Sequence, residues 1–158
     1  MKEVVYDSLT DIQKIAIYEA EKARERAYNP YSNFFVGACL YNHIAQKVVS
    51  GANFENASYG LTVCAERSAV FRANAEGQRC FHGIVITTRG LDFDIKEPTP
   101  PCGACRQVLN EIAQLSNCDL VVVLVSTKRD KIFLTTIKEL LPGAFGPADL
   151  GIELGRYR

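Results

Sequence analysis

Thr62-Val63-Cys64-Ala65-Glu66-Arg67 is the stretch that most constrains this fold, together with a second stretch, Pro101-Cys102-Gly103-Ala104-Cys105-Arg106. One cysteine and a distant C-x-x-C pair supply three thiolate ligands, one fewer than a closed tetrahedral zinc site needs. Structural zinc sites normally use four protein ligands, whereas catalytic sites keep one position for water. The pattern therefore predicts an open, hydrolytic zinc site, with Glu66 as the candidate for handling the protons of the water.

Both stretches are predicted to begin helices, with Cys64 at the cap of the first helix and Glu66 in its first turn. A helix N-terminus carries a partial positive charge, which stabilises thiolates and lowers their pKa. Three thiolates around Zn²⁺ leave a net negative charge. We expect Arg67 or Arg106 to offset part of that charge by hydrogen-bonding the sulfurs.

The rest of the sequence alternates between helical and strand-like patterns. The predicted elements are a helix from Ser8 to about Arg26, strands Phe34–Tyr41 and Lys47–Asn53, a helix from Cys64 or Ala65 to about Ala75, a strand Cys80–Thr88, a helix Gly103–Leu115, strands near Leu120–Ser126 and Ile132–Leu134, and a short helix ending at Leu141-Pro142-Gly143. Strands alternating with helices predict a layered α/β domain. No repeat or linker divides the chain, so we expect residues 1–158 to form a single catalytic domain.

The charge balance disfavours nucleic acid as a partner. The 18 basic and 18 acidic residues cancel, and no run of lysine and arginine marks a polynucleotide footprint. The longest apolar stretch, Leu120 to Val125, is too short to span a bilayer. No apolar leader follows Met1, so we expect a cytoplasmic protein with a small, nearly neutral substrate and no membrane partner.

The six cysteines are interpreted as metal ligands and buried thiols instead of a disulfide framework, because no secretory context is evident. Three of them accompany apolar strand-like runs and are predicted to be small core residues, namely Cys39, Cys80 and Cys118.

Two other interpretations of the cysteine motifs do not involve an open catalytic zinc site. A C-x-x-C pair at a helix start is also typical of thioredoxin-type redox sites. A closed structural zinc site would need a fourth ligand from His43, His82 or a spare cysteine, and neither histidine has metal-like spacing. Without the cysteines beside it, a glutamate at position 66 would be explained by the favourable interaction of its charge with the helix dipole.

The combination of Cys64-Ala65-Glu66 with Pro101-Cys102-Gly103-Ala104-Cys105 resembles the signature of the zinc deaminases, with cysteine in place of the histidine ligand. More narrowly, the chain resembles the small homotetrameric cytidine deaminases. Three further segments carry that resemblance: Pro30–Ala38, Asn53–Gly60 and Leu140–Pro147. Phe35 departs from the pattern, because the family usually has proline at this position.

The resemblance implies a three-layer α/β/α fold with a central mixed sheet, and a homotetramer with active sites at subunit contacts. It implies one Zn²⁺ per subunit, bound by Cys64, Cys102 and Cys105, and proton transfer by Glu66. The implied reaction is hydrolytic deamination of cytidine and deoxycytidine to uridine and deoxyuridine with release of ammonia, as in pyrimidine salvage.

The resemblance also implies how a nucleoside is held. Asn53 and Glu55 would hydrogen-bond the ribose hydroxyls, and an amide with a carboxylate suits the donors and acceptors of a sugar. Phe34 would pack on the base, and the N–H of Ala65 would bind the base carbonyl. Two residues would reach the ligand from neighbouring subunits, namely Tyr59 and Phe145.

Three other functions share parts of the pattern. An aminonucleoside antibiotic deaminase has the metal motifs but need not have the ribose-reading segment. A polynucleotide-editing deaminase is disfavoured by the zero net charge. A non-catalytic zinc-binding interaction module would contain the metal without releasing ammonia.

Overall fold

The computed structural model describes residues 1–158, which form a six-stranded sheet with helices on both faces. The strands are β1 (Lys2–Val4), β2 (Phe34–Asn42), β3 (Lys47–Ala52), β4 (Gly83–Gly90), β5 (Val121–Val125) and β6 (Ile132–Thr136). The helices are α1 (Asp11–Arg24), α2 (Ala65–Ala75), α3 (Gly103–Ser116) and the single turn α4 (Ile137–Leu140). The spatial order of the strands is β1-β6-β5-β4-β2-β3.

The sheet is mixed, as expected. Strands β4 and β5 pair in parallel, which requires a crossover, and α3 lies in the chain that connects them. Every other neighbouring pair is antiparallel. Because β2 and β3 are joined by a short turn after Asn42, they form a hairpin at one side of the sheet.

Alternation of apolar residues along the strands creates two separate cores. On one face the sheet packs against α2, α3 and α4 through side chains that include Leu40, Ile86 and Leu124. On the other face Cys39, Val85 and their neighbours pack against α1. Side chains alternate between the two faces of a strand, so consecutive buried residues serve opposite cores. The three-layer α/β/α architecture is therefore confirmed.

The observed boundaries differ from the predicted ones where local hydrogen bonds decide them. Helix α1 starts after Thr10 instead of Ser8, because the Gln13 side chain accepts a hydrogen bond from the Thr10 N–H at 3.0 Å. The predicted strand from Cys80 begins only at Gly83, because the Phe81 N–H bonds to the Ser116 hydroxyl at 2.8 Å. Strand β1 was not expected, since its three residues lack a hydrophobic pattern.

The prediction for the spare cysteines is right for one of three. Cys39 is fully buried in the core beneath α1. Cys80 and Cys118 are only partly buried, because they lie in the connections before β4 and β5 instead of within the strands. The Cys118 thiol lies 3.4 Å from the carbonyl oxygen of Phe81. None of the helices combines the length and the hydropathy that crossing a membrane requires.

Close helix packing on the hairpin depends on two glycines. A Cβ atom on Gly37 would lie 1.9 Å from the carbonyl oxygen of Ala20 in α1. A Cβ atom on Gly51 would lie 2.4 Å from the backbone nitrogen of Ala69 in α2. The absence of a side chain at Gly51 therefore sets how closely α2 approaches β3, and with it the position of the first turn of α2.

We predict that Gly51→Ala destabilises the protein by about 1–3 kcal/mol, the usual cost of overpacking a rigid contact. The obstructing atoms belong to the backbone of α2, so no side-chain rotation relieves the clash. Urea unfolding at saturating zinc measures the effect. Gly155→Ala is the matched control, because nothing lies within 4 Å of a Cβ atom there. Equal stability of the two variants would contradict this account of the packing.

Candidate active site

The fold brings the three motif cysteines together at the N-termini of two helices. Cys64 is the cap residue of α2 and Cys102 is the cap residue of α3, both with extended backbone. Cys105 lies in the first turn of α3 and is buried. The three sulfur atoms lie within 4.8 Å of one another. The expectation that Cys64 occupies a non-helical cap position agrees with its ψ of 155°.

This donor set fits a zinc ion. Tetrahedral zinc with Zn–S bonds of about 2.3 Å holds its sulfurs about 3.8 Å apart, so the observed spacing needs only a small contraction. Neither histidine belongs to the group, and the rings of His43 and His82 contact each other, with centroids 3.8 Å apart. The cluster therefore offers three protein ligands, and Cys102 lies on its solvent-exposed side.

Proton sharing within the cluster separates the pKa values of its thiols. A hydrogen bond from Cys105, together with a smaller contribution from the nearby Arg67, lowers the pKa of Cys64 to about 5. Burial of the Cys64 thiol acts in the opposite direction but is outweighed. The same interaction with Cys64, together with burial, raises the pKa of Cys105. One thiolate is therefore available near neutral pH, and binding of a metal would have to displace the remaining protons.

Arg67 is the cationic residue beside the sulfurs. Its Nη2 donates to the carbonyl oxygen of Thr62 at 2.7 Å and lies 3.9 Å from Cys64 Sγ. Its Nε is buried without a hydrogen-bond partner, so the guanidinium keeps a further donor for the anionic cluster. Arg106 bonds elsewhere, to the carbonyl oxygens of Pro101 and Leu140, both at 2.8 Å. The sequence left open whether Arg67 or Arg106 offsets the charge of the sulfurs. In the structure it is Arg67 that contacts a cysteine of the cluster.

Glu66 is almost completely buried, with 4% of its surface exposed. Burial is the largest influence on its carboxyl, and it raises the pKa of Glu66 with help from the charge of Cys64. A buried carboxyl group with a raised pKa is suited both to accept and to release a proton. Its interactions with the Cys105 thiol and with the charge of Cys64 place the carboxyl beside the cluster.

A short hydrogen-bonded ladder joins the cluster to the predicted sugar-binding segment. Phe54 and Val63 exchange two backbone hydrogen bonds of 2.9 Å, and Val63 directly precedes Cys64. On its other side the segment bonds to Tyr28, through the Asn53 carbonyl at 3.0 Å and the Glu55 N–H at 2.8 Å. The backbone of residues 53–55 is therefore held next to the metal-binding stretch.

The side chains of Asn53 and Glu55 are both buried and hydrogen-bonded. Asn53 Oδ1 accepts from the Val36 N–H, and its Nδ2 donates to the Phe34 carbonyl, both at 2.9 Å. Burial disfavours the charge on Glu55, but bonds from the Ser32 hydroxyl and the N–H groups of Tyr31 and Ser32 outweigh it. The pKa of Glu55 is consequently lowered, and the carboxylate is ionised at neutral pH. The sequence did not single out Ser32.

Phe34 and Phe35 project to opposite sides of the sheet. Phe34 shares a face with Val36, which packs against the core beneath α2 and α3. Phe35 projects towards the α1 side, where the Arg89 guanidinium lies 3.8 Å from its ring centre. The departure from the family pattern at Phe35 therefore lies on the face away from the cysteine cluster.

The remaining candidates sit at exposed or terminal positions. Tyr59 and Phe145 are 73% and 60% exposed, so this chain alone does not bury either ring. The Phe145 carbonyl accepts bonds from two α3 side chains, Gln107 at 2.8 Å and Asn110 at 3.2 Å. Ala65 is the first residue of α2, where a backbone N–H has no partner within the helix.

Comparison with protein families gives one match that covers most of the chain. The model described as the cytidine and deoxycytidylate deaminase zinc-binding region matches residues 11–126. A cytidine deaminase of Halalkalibacterium halodurans is 49% identical over 138 residues, which cover 87% of this chain and 97% of the relative. One from Sporosarcina psychrophila is 44% identical, with 89% and 95% covered.

Solved structures with a similar fold are also cytidine deaminases. The crystal structure of a cytidine deaminase from Burkholderia pseudomallei is 43% identical and superposes with a TM-score of 0.73, covering 87% of this chain and all of the other. The cytidine deaminase of Mycobacterium tuberculosis is 33% identical, with a TM-score of 0.68 over 87% of this chain and 99% of the other.

We predict that Arg67→Gln lowers zinc affinity by about 10- to 100-fold, the usual effect of removing a group that supports a metal ligand. The substitution removes the positive charge that lowers the pKa of Cys64, so zinc uptake should also require a higher pH. Competition with a chromophoric chelator measures the affinity. Arg72→Gln, an exposed change on the same helix, is the control, and equal affinities for both variants would refute the role of Arg67.

Proposed function

The chain belongs to the family of zinc-binding cytidine and deoxycytidylate deaminases, and from that membership we propose that it hydrolyses cytidine and deoxycytidine to uridine and deoxyuridine. The observation that carries the proposal is the cluster of Cys64, Cys102 and Cys105 next to the buried carboxyl of Glu66. Three ligands and a neighbouring proton carrier suit the addition of water to a C=N bond.

Zinc, when bound by the three cysteines, supplies a Lewis acid that activates water as a nucleophile. Glu66 accepts a proton from the water and passes it to N3 of the pyrimidine as the oxygen adds at C4. It then takes the proton of the hydroxyl formed at C4 and delivers it to the departing amino group. Water and the aminopyrimidine are thus converted to the pyrimidinone and ammonia. Both transfers use one carboxyl, which the raised pKa of Glu66 supports.

Neighbouring groups would orient the nucleoside. The N–H of Ala65, at the start of α2, is suited to bind the base carbonyl, since a helix N-terminus favours negative charge. Phe34 projects from the same face of β2 as Val36 and would pack on the base. The ionised Glu55 would accept hydrogen bonds from the sugar hydroxyls, and the amide of Asn53 has one N–H and one lone pair beyond its bonds to β2.

We expect the reaction to be visible as loss of cytidine absorbance with release of ammonia. A zinc chelator should abolish it, and added zinc should restore it. The sharper prediction is that Glu66→Gln abolishes turnover while one zinc per chain remains bound, because the substitution removes the proton carrier and no metal ligand.

The matched control is Glu76→Gln, an exposed substitution beyond the last turn of the same helix. Near-normal ammonia release by Glu66→Gln would overturn the assignment of Glu66. Loss of zinc from that variant would show instead that the carboxyl supports the metal.

The proposed assembly is a homotetramer in which each site receives aromatic side chains from neighbouring subunits. Several exposed rings support it. Tyr59 lies 5.6 Å from Tyr31, and Phe54 stacks on Tyr28 at 4.9 Å, all in segments that adjoin the cluster. Contiguous exposed apolar surface is typical of protein interfaces.

Sedimentation equilibrium should give four times the 17.5 kDa mass of one chain. We predict that Phe145→Ala, which removes a 60% exposed ring, raises KM without unfolding the chain. Phe71→Ala is the control, since that exposed ring lies on α2 and has no proposed contact with substrate. A fully active monomer would contradict the proposed assembly.

A further inference from the structure

The Ser32 hydroxyl bridges two residues that the proposed function assigns to different parts of the nucleoside. It donates to Glu55 Oε1, and it accepts the backbone N–H of Phe34 at 3.0 Å. We infer that Ser32 is a positioning residue that couples the sugar-binding carboxylate to the base-packing aromatic ring. This inference rests on the proposed function of Glu55 and Phe34.

Hydrogen bonds from its own chain occupy most of the Glu55 carboxylate. Its Oε2 accepts from the Tyr31 N–H at 3.0 Å and from the Ser32 N–H at 3.2 Å, and its Oε1 accepts from the Ser32 hydroxyl. An ionised carboxylate has about four acceptor positions. Three are filled, so the fourth, on Oε1, is directed by the Ser32 bond and is available to a sugar hydroxyl.

The two partners of the Ser32 hydroxyl fix the direction of its proton. A carboxylate can only accept and an N–H can only donate, so the single proton of Ser32 must point to Glu55 and a lone pair to Phe34. Asn33 between them has a φ of 53°, in the left-handed region, which folds residues 32–34 into a tight turn. The hydroxyl closes this turn, and Phe34 enters β2 directly after it.

The contacts of Ser32 do not include the reacting groups. Its side chain bonds to Glu55 and to Phe34, and neither of these residues contacts Glu66 through a hydrogen bond. Removing the hydroxyl should therefore impair binding of the nucleoside and leave the chemical step unchanged. Because Glu55 would interact with the sugar, the loss of affinity should be larger for nucleosides that carry the sugar hydroxyls.

Steady-state kinetics of Ser32→Ala in the zinc-loaded enzyme tests the inference. We expect KM for cytidine and the inhibition constant of uridine to rise roughly tenfold, the effect of weakening one hydrogen bond to a charged group, while kcat stays unchanged. The inhibition constant of 2′,3′-dideoxyuridine, which lacks both sugar hydroxyls but keeps the base, should rise less, because for this compound only the contact with Phe34 is disturbed. Ser32→Thr retains the hydroxyl and should restore wild-type values.

Two further variants control the experiment. Ser8→Ala removes an exposed hydroxyl that bonds only to the Val5 carbonyl, and it should leave every constant unchanged. Ser32→Cys keeps nearly the same side-chain size but has only a weak donor, so it should show the same kinetic changes as Ser32→Ala. It serves as the test variant if the alanine variant fails to fold.

An equal rise for uridine and dideoxyuridine, or a fall in kcat at constant KM, would overturn the inference. Failure of the proposed function has a different signature, namely no ammonia release from cytidine by the unmodified enzyme.

Discussion

The convergence of two helix N-termini on one face of the sheet is the constraint on which the rest of the structure depends. Cys64 caps α2 and Cys102 caps α3, so their sulfurs meet only if both helices start at the same point. The close contact of α2 with Gly51 and the parallel pairing of β4 with β5 satisfy that requirement. The helix ends also supply the partial positive charge that favours thiolates.

A second consequence of this geometry is that the cysteine cluster and the segment proposed to bind the nucleoside share one continuous framework. The ladder through Phe54 ties Val63 to the Asn53–Glu55 segment, and Asn53 in turn bonds to the backbone of β2. A displacement of Cys64 would therefore be transmitted to the groups assigned to the sugar and the base. Backbone hydrogen bonds therefore hold these groups in fixed positions relative to one another, which is the preorganisation that catalysis needs.

The sequence predicted those features that depend on local spacing. The three cysteines and the helices that follow them were found because a C-x-x-C pair and a cap position are short-range patterns. The choice between Arg67 and Arg106 stayed open, because the bond from Arg106 to the Leu140 carbonyl spans 34 residues. Ser32 was missed for the same reason, since its partner Glu55 lies 23 residues away. The three-layer order and the nucleoside contacts came from the resemblance and not from periodicity.

The central claim is a zinc ion bound by three cysteines with the fourth position open to water. X-ray absorption at the zinc edge of the purified protein tests it most directly. The account predicts three sulfur neighbours at about 2.3 Å and one oxygen at about 2.0 Å. Four sulfur neighbours, or scattering typical of an imidazole ring, would contradict it, because either result would mean that Cys39, Cys80, Cys118 or a histidine closes the site.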